Sequence, residues 1–204
     1  MNYLAHLYLA EDTDESRLGN LLGDFVKGRI GNTYSPGIQR GIKTHRKVDV
    51  FTDTHQKFLE SKKLISPERR RFAGVIIDLS FDHFLAKNLA AYSDRELDSF
   101  NRSVYEMLKR NIGILPEKLA LFLPRMINED WLGSYENLDG ISLVIDRLSN
   151  RLERRFKRQN TLKGAAREIE SNYRELDRNF KDFFPELIGY VEDLRLTTLE
   201  QRLS

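Results

Sequence analysis

Apolar side chains recur along this chain at intervals of three and four residues. Period-two alternation bounded by turn residues is nearly absent, so the pattern is helical throughout. It predicts helices near about 2–10, 15–28, 36–56, 67–90, 94–111, 116–130, 137–157, 161–183 and 185–201. Start signals support the register. Asp12 and Glu15 have capping-box spacing, as do Ser93 and Glu96. Ser35-Pro36 and Ser66-Pro67 read as a cap followed by the first helical residue, and Pro116 and Pro185 open further segments. Connections are short, and no linker, low-complexity stretch or repeat divides the chain. The expectation is a single all-α domain over 1–204, a helical bundle.

One predicted helix differs from the rest. From Phe72 to Leu85 its apolar residues run most of the way around, so it should be central and buried. Asp78, Asp82 and His83 then sit in apolar company. An unpaired buried carboxylate costs several kcal/mol. A metal, an arginine or a hydrogen-bond network must compensate, and Arg46 is one available ion-pair partner.

Composition narrows the class. The 204 residues are 40% hydrophobic and 31% charged, as in ordinary globular proteins. The chain has no cysteine, which excludes disulfides, iron–sulfur clusters and zinc–thiolate sites and fits a reducing cytoplasm. No apolar run approaches ~18 residues, and no basic region precedes an apolar stretch at the start, so no membrane span or signal peptide is expected. The net charge of +2 hides two basic stretches. One gathers Lys62, Lys63, Arg69, Arg70 and Arg71. The other runs from Arg151 to Arg158 with Glu153 as its one acid. Each reads either as a solvated face or as a docking surface for an acidic partner. No motif of interleaved basic and aromatic residues points to nucleic acid.

The four histidines carry the candidate chemistry. They are His6, His45, His55 and His83, all in the first half. Polar pairs at i,i+4 recur around three of them: Asn2/His6, Asn20/Asp24, His45/Asp49 and Asp78/Asp82. On a helix that spacing places both side chains on one face. Imidazoles and carboxylates borne on several helices are the ligand set of a divalent metal, with manganese, magnesium or iron(II) favoured where thiolates are absent. His55 and Asp53 read as surface residues.

Four stretches together are distinctive: Met1–Leu7, Gly19–Gly28, Gly41–Asp49 and Asp78–Leu85. With Trp131–Tyr135 and Phe180–Pro185 they resemble, in order, the bacterial acyl carrier protein phosphodiesterases. The resemblance implies hydrolysis of the phosphodiester joining 4′-phosphopantetheine to a serine of holo-acyl carrier protein, with a divalent metal, usually Mn2+ (Mg2+ or Fe2+ being alternatives). It implies work in fatty acid biosynthesis, in the cytoplasm, with neither nucleic acid nor membrane as partner. It also implies a distorted, HD-phosphohydrolase-like fold. The usual adjacent His-Asp pair is absent, however: Asp82-His83 has the reverse order, and His45 precedes arginine.

Ligand positions therefore do not carry over from ordinary HD enzymes, and from the chemistry of the residues Asp24, His45, Asp82 and His83 are expected as metal ligands, with Asp78 as a ligand or a support behind one. Arg46 would neutralise charge on the phosphoryl oxygens. His6 would be the general acid at the leaving serine oxygen, or another ligand, and Asp49 and Asn20 would orient. Asp49 and Arg46 also have a plain reading as a structural ion pair. Arg69, Arg70 and Arg71 are expected to dock the acidic carrier, being closer in sequence to the central helix than Arg151–Arg158. Two rival functions stand beside this one: an HD-like phosphohydrolase of a small nucleotide or other phosphoester, and a helical binding module for an acidic protein or nucleic acid.

Overall fold

The computed structural model describes residues 1–203, and side chains from 1 to 197. Among them the regular structure is helical: α1 (Tyr3–Tyr8), α2 (Asp14–Leu22), α3 (Pro36–Thr54), α4 (Gln56–Lys63), α5 (Ala73–Lys87), α6 (Leu97–Arg110), α7 (Glu117–Asn128), α8 (Leu138–Phe156), α9 (Ala166–Ser171) and α10 (Tyr173–Leu203). Short 3₁₀ turns join some of them, notably Pro67–Phe72 and Gly133–Glu136.

Caps explain several boundaries. Ser35 Oγ accepts from Ile38 N–H, and Pro36 follows as the first helical residue, as the sequence pattern predicts. At α2 the cap is Thr13 rather than Asp12. Ser93 caps nothing: its Oγ accepts from Arg95 N–H in a local turn, and α6 begins later. Ser66 turns its hydroxyl to Glu168 instead of its own helix. The predicted helix 67–90 accordingly begins as a 3₁₀ turn, and 36–56 is followed by a separate α4. The predicted helix 161–183 opens as turns before α9. Pro185 lies inside α10 rather than at its start. The carbonyl that loses its N–H partner there belongs to exposed Lys181, where water can satisfy it.

A single buried apolar cluster runs from Met1 to Val191. Its centre is α5, buried around most of its circumference as expected. Phe81 and Phe84 pack among Phe58, Phe180 and Phe183 in largely edge-on or tilted pairs. Against this core, α2 and α3 cross backbone to backbone. A Cβ on Gly19 would stand 2.3 Å from Ile38 O and 2.8 Å from Gly41 Cα, so glycine is required there for steric reasons. This close crossing brings the end of α2 against the middle of α3.

Candidate metal centre

Three side chains from two helices meet beside that crossing. His45 and Asp49 lie one turn apart on α3, and His6 comes from α1. His45 Nε2 is 3.1 Å from Asp49 Oδ2, and His6 Nε2 is 3.1 Å from Asp49 Oδ1. The two imidazoles stack, with ring centroids 3.8 Å apart and planes inclined by 24°. Ligand-type atoms of all three lie within 4.8 Å of one another. The rings form the floor, 1% and 3% exposed, and Asp49 forms an open wall at 42%.

Gly23, the residue after α2, is what lets His45 sit there. A Cβ on Gly23 would be 2.1 Å from His45 Cγ, so a larger residue would displace the ring. Asp24 follows at the solvent side, its Oδ1 3.8 Å from His45 Nε2. The next segment is tied to α3 by Arg46, whose guanidinium donates to Val26 O at 2.8 Å.

The electrostatics suit a cation. Burial lowers the His6 pKa to about 4, despite Asp49 beside it, so the ring is neutral at pH 7 and offers a lone pair. Burial alone would raise Asp49, but the two imidazoles outweigh it and hold the carboxyl well below the ordinary range. Asp24 is pushed up, first by burial and further by the negative charge of Asp49. The pocket thus gathers carboxylates that an added positive charge would relieve. Neither ring nitrogen of His6 completes a hydrogen bond, nor does His45 Nδ1. The His6–Asp49 approach is short without being aligned for an N–H donor, as expected of groups aimed at a shared point. Two imidazoles and a carboxylate at this spacing could hold a metal ion.

The other expected residues lie around this cluster in different ways. Asp78 Oδ1 is 2.8 Å from the buried amino group of Met1, which also stands 3.9 Å from Asp49. Burial lowers that amine's pKa, but Asp78 and Asp49 outweigh it and the net shift is upward, so the charges stay paired. Asp82 turns to backbone: it accepts Leu4 N–H at 2.8 Å and Ala5 N–H at 3.2 Å. It thereby caps α1, whose own Asn2 makes no capping bond. His83 points elsewhere, since neighbours on a helix diverge by about 100°. Its Nδ1 contacts Tyr135 O at 2.8 Å and its Nε2 contacts Tyr173 Oη at 2.9 Å. Asn20 is fully buried; its Nδ2 donates to Ser16 O, while Oδ1 lacks a partner among the described residues. Arg69 is committed internally to Glu168 at 3.0 Å, Glu68 at 2.7 Å and Thr161 O, whereas Arg70 and Arg71 are exposed. His55 pairs with Glu186 at the surface.

Sequence reasoning did not anticipate the Met1 amine, the Tyr135 and Tyr173 contacts to His83, or the Gly23–His45 approach. Only the last leaves a readable signal: a glycine inside the apolar run Leu21-Leu22-Gly23-Asp24-Phe25, where a close neighbour is the usual reason.

Residues 1–187 match the family model described as acyl carrier protein phosphodiesterase. Curated relatives of that same name cover nearly the whole chain. The protein of Photorhabdus laumondii subsp. laumondii is 34% identical over 205 residues, spanning 98% of this chain and 100% of its own. That of Yersinia enterocolitica is 34% identical over 197 residues, with 96% and 100% covered. That of Klebsiella pneumoniae (strain 342) is 33% identical over 204 residues, again with 96% and 100% covered. No solved structure matches the chain.

Proposed function

The chain belongs to the acyl carrier protein phosphodiesterase family, and on that premise we propose that it hydrolyses the phosphodiester between 4′-phosphopantetheine and a serine of holo-acyl carrier protein. The products are apo-carrier and free 4′-phosphopantetheine. The observation that carries the mechanistic part is the His6–His45–Asp49 cluster, in which two buried imidazoles and one part-exposed carboxylate bring ligand-type atoms within 4.8 Å of one another. A metal-dependent domain over 1–204, working in the cytoplasm on a protein substrate, is the reading this supports. Among the described residues, no helix is long and apolar enough to cross a membrane.

We propose that His6, His45 and Asp49 hold a divalent metal, with Mn2+ first and Mg2+ or Fe2+ as alternatives, and that Asp24 adds a donor from the solvent side. When bound, such an ion supplies positive charge that polarises a phosphoryl oxygen and favours ionisation of water at neutral pH. The protein's own groups do the positioning. His6 is not in its cationic form near neutral pH, so it offers a ring lone pair rather than acting as a general acid. Asp82 fixes the start of α1 and with it the His6 ring. The Met1–Asp78 pair supports Asp49 from behind. Arg46 holds the segment after Asp24. His83 and Asn20 support the packing around the centre. The likeness to HD phosphohydrolases remains part of this proposal.

Product analysis tests it. Holo-carrier protein incubated with the Mn2+-treated enzyme should release 4′-phosphopantetheine, detectable by liquid chromatography and mass spectrometry. Mn2+ electron paramagnetic resonance gives a readout independent of turnover, and the free-ion signal should fall on adding protein. Release of inorganic phosphate from nucleotides, with no attack on the carrier, would favour the small-molecule alternative instead.

A further inference from the structure

The C-terminal end of α8 carries a row of cations with no carboxylate partner among the described residues; Arg154 Nε donates only to Asn150 O, at 3.2 Å. Arg151, Arg154, Arg155, Lys157 and Arg158 are exposed. Arg147, one turn earlier, reaches Glu129 at 2.9 Å; beyond it none of the five forms an ion pair among the described residues. The one acid there, Glu153, is turned to Asn160 N–H. In the middle of the row Phe156 stands 65% exposed, with the Arg155 guanidinium 5.4 Å from its ring centroid. The helix dipole favours cations in a last helical turn, by under about 1 kcal/mol each. That accounts for Arg154 and Arg155. It does not account for Lys157 and Arg158 beyond the helix end, or for an uncovered phenylalanine.

The position of the row is as telling as its charge. Helix α8 packs on α5 and on the Gly133–Glu136 turn. Tyr135 of that turn holds Asn2 at 3.1 Å, next to Tyr3 at the start of α1. Burial raises the Tyr3 hydroxyl's pKa, and Asp24 and Arg151 are both near enough to act on it with opposite signs. The basic row therefore begins within electrostatic reach of Tyr3, on the same helix that carries His6. Arginine with an aromatic neighbour is the composition of an interface hot spot, and a row of cations is complementary to a carboxylate-bearing surface.

We propose that Arg151 to Arg158, with Phe156 as its apolar anchor, is the surface on which the acidic face of the protein substrate docks. This rests on the carrier-protein reading above. The rival patch at Arg69–Arg71 is weaker, because Arg69 is already bound to Glu168 and Glu68.

The test measures binding without turnover: fluorescence anisotropy of labelled apo-carrier protein across a range of salt. The variants are the triple R154Q/R155Q/R158Q, Phe156→Ala, and R70Q/R71Q, with circular dichroism confirming that each folds. The triple should raise Kd by about tenfold or more and flatten its salt dependence. Phe156→Ala should raise Kd severalfold with the salt slope kept. R70Q/R71Q should stay within about twofold. An unchanged Kd and salt slope in the triple, absence of binding to the wild type, or a loss confined to R70Q/R71Q each overturns the docking assignment. Cleavage measured in parallel separates the two claims. Binding that needs α8 but releases no phosphopantetheine supports the surface and refutes the reaction. Cleavage with an unaltered Kd in the triple refutes the surface alone.

Discussion

Asp82→Ala removes the carboxylate that holds the start of α1. Two backbone N–H groups, of Leu4 and Ala5, donate to its carboxylate, and all three residues are fully buried. Alanine leaves both donors unpaired, at about 1–3 kcal/mol each, so the gross loss is about 2–6 kcal/mol. Against this, burial pushes the Asp82 pKa from 3.8 up to about 7, the two N–H groups only partly offsetting it. The folded state therefore holds this proton more tightly than the unfolded chain. Stability falls as pH rises between those two values, and levels off above the upper one. Alanine abolishes that slope. The damage done by the substitution should thus be larger in acid, shrinking by about 3 kcal/mol between about pH 5 and about pH 8. Urea unfolding of the metal-free protein at the two pH values measures it. Turnover should fall by roughly 10–100-fold, because α1 loses its cap and His6 its fixed position. A destabilisation that is the same at both pH values, or grows toward alkali, would show that Asp82 does not hold a proton more tightly in the folded state. So would a variant with wild-type stability and wild-type turnover.

Other outcomes follow from the same geometry. Gly23→Ala should displace the His45 ring, destabilising by about 1–3 kcal/mol and lowering Mn2+ affinity at least tenfold, as read by calorimetric titration. Gly41→Ala should force α2 from α3, since its Cβ would lie 2.7 Å from Ser16 O; a fall in melting temperature, at a cost of about 1–3 kcal/mol, checks it. His83→Ala should cost about 1–3 kcal/mol by stranding Tyr135 O yet bind Mn2+ with wild-type stoichiometry. His45→Ala should lose that stoichiometry, and equal Mn2+ content in the two variants would mean the centre lies elsewhere.

The sequence made some of this legible because the relevant physics is local. The i,i+4 spacing of His45 and Asp49 needs only helix geometry to bring them together, and they stand 3.1 Å apart. The burial of α5 follows from its apolar circumference. What stayed hidden depends on tertiary direction. Asp78, Asp82 and His83 read as one group on one helix. The first two face the start of α1, where one finds an ammonium and the other two amides, while His83 faces Tyr135 and Tyr173. Their compensation is thus an ion pair and hydrogen bonds, which spacing cannot distinguish from a metal. The stop of α2 at Leu22 was also illegible, because the apolar run continues through Val26, and Gly23 takes its meaning from His45 on another helix. Arg69 looked free for the same reason, since its partner Glu168 lies 99 residues away.

The most direct test of the His6–His45–Asp49 assignment is intact-mass spectrometry of holo-acyl carrier protein after incubation with Mn2+ and each of three proteins: the wild type, His83→Ala and Asp49→Ala. The carrier should lose the mass of its phosphopantetheine group with the wild type and with His83→Ala, and keep it with Asp49→Ala. A carrier left intact by the wild type would contradict the reaction, and conversion by Asp49→Ala at the wild-type rate would contradict the site.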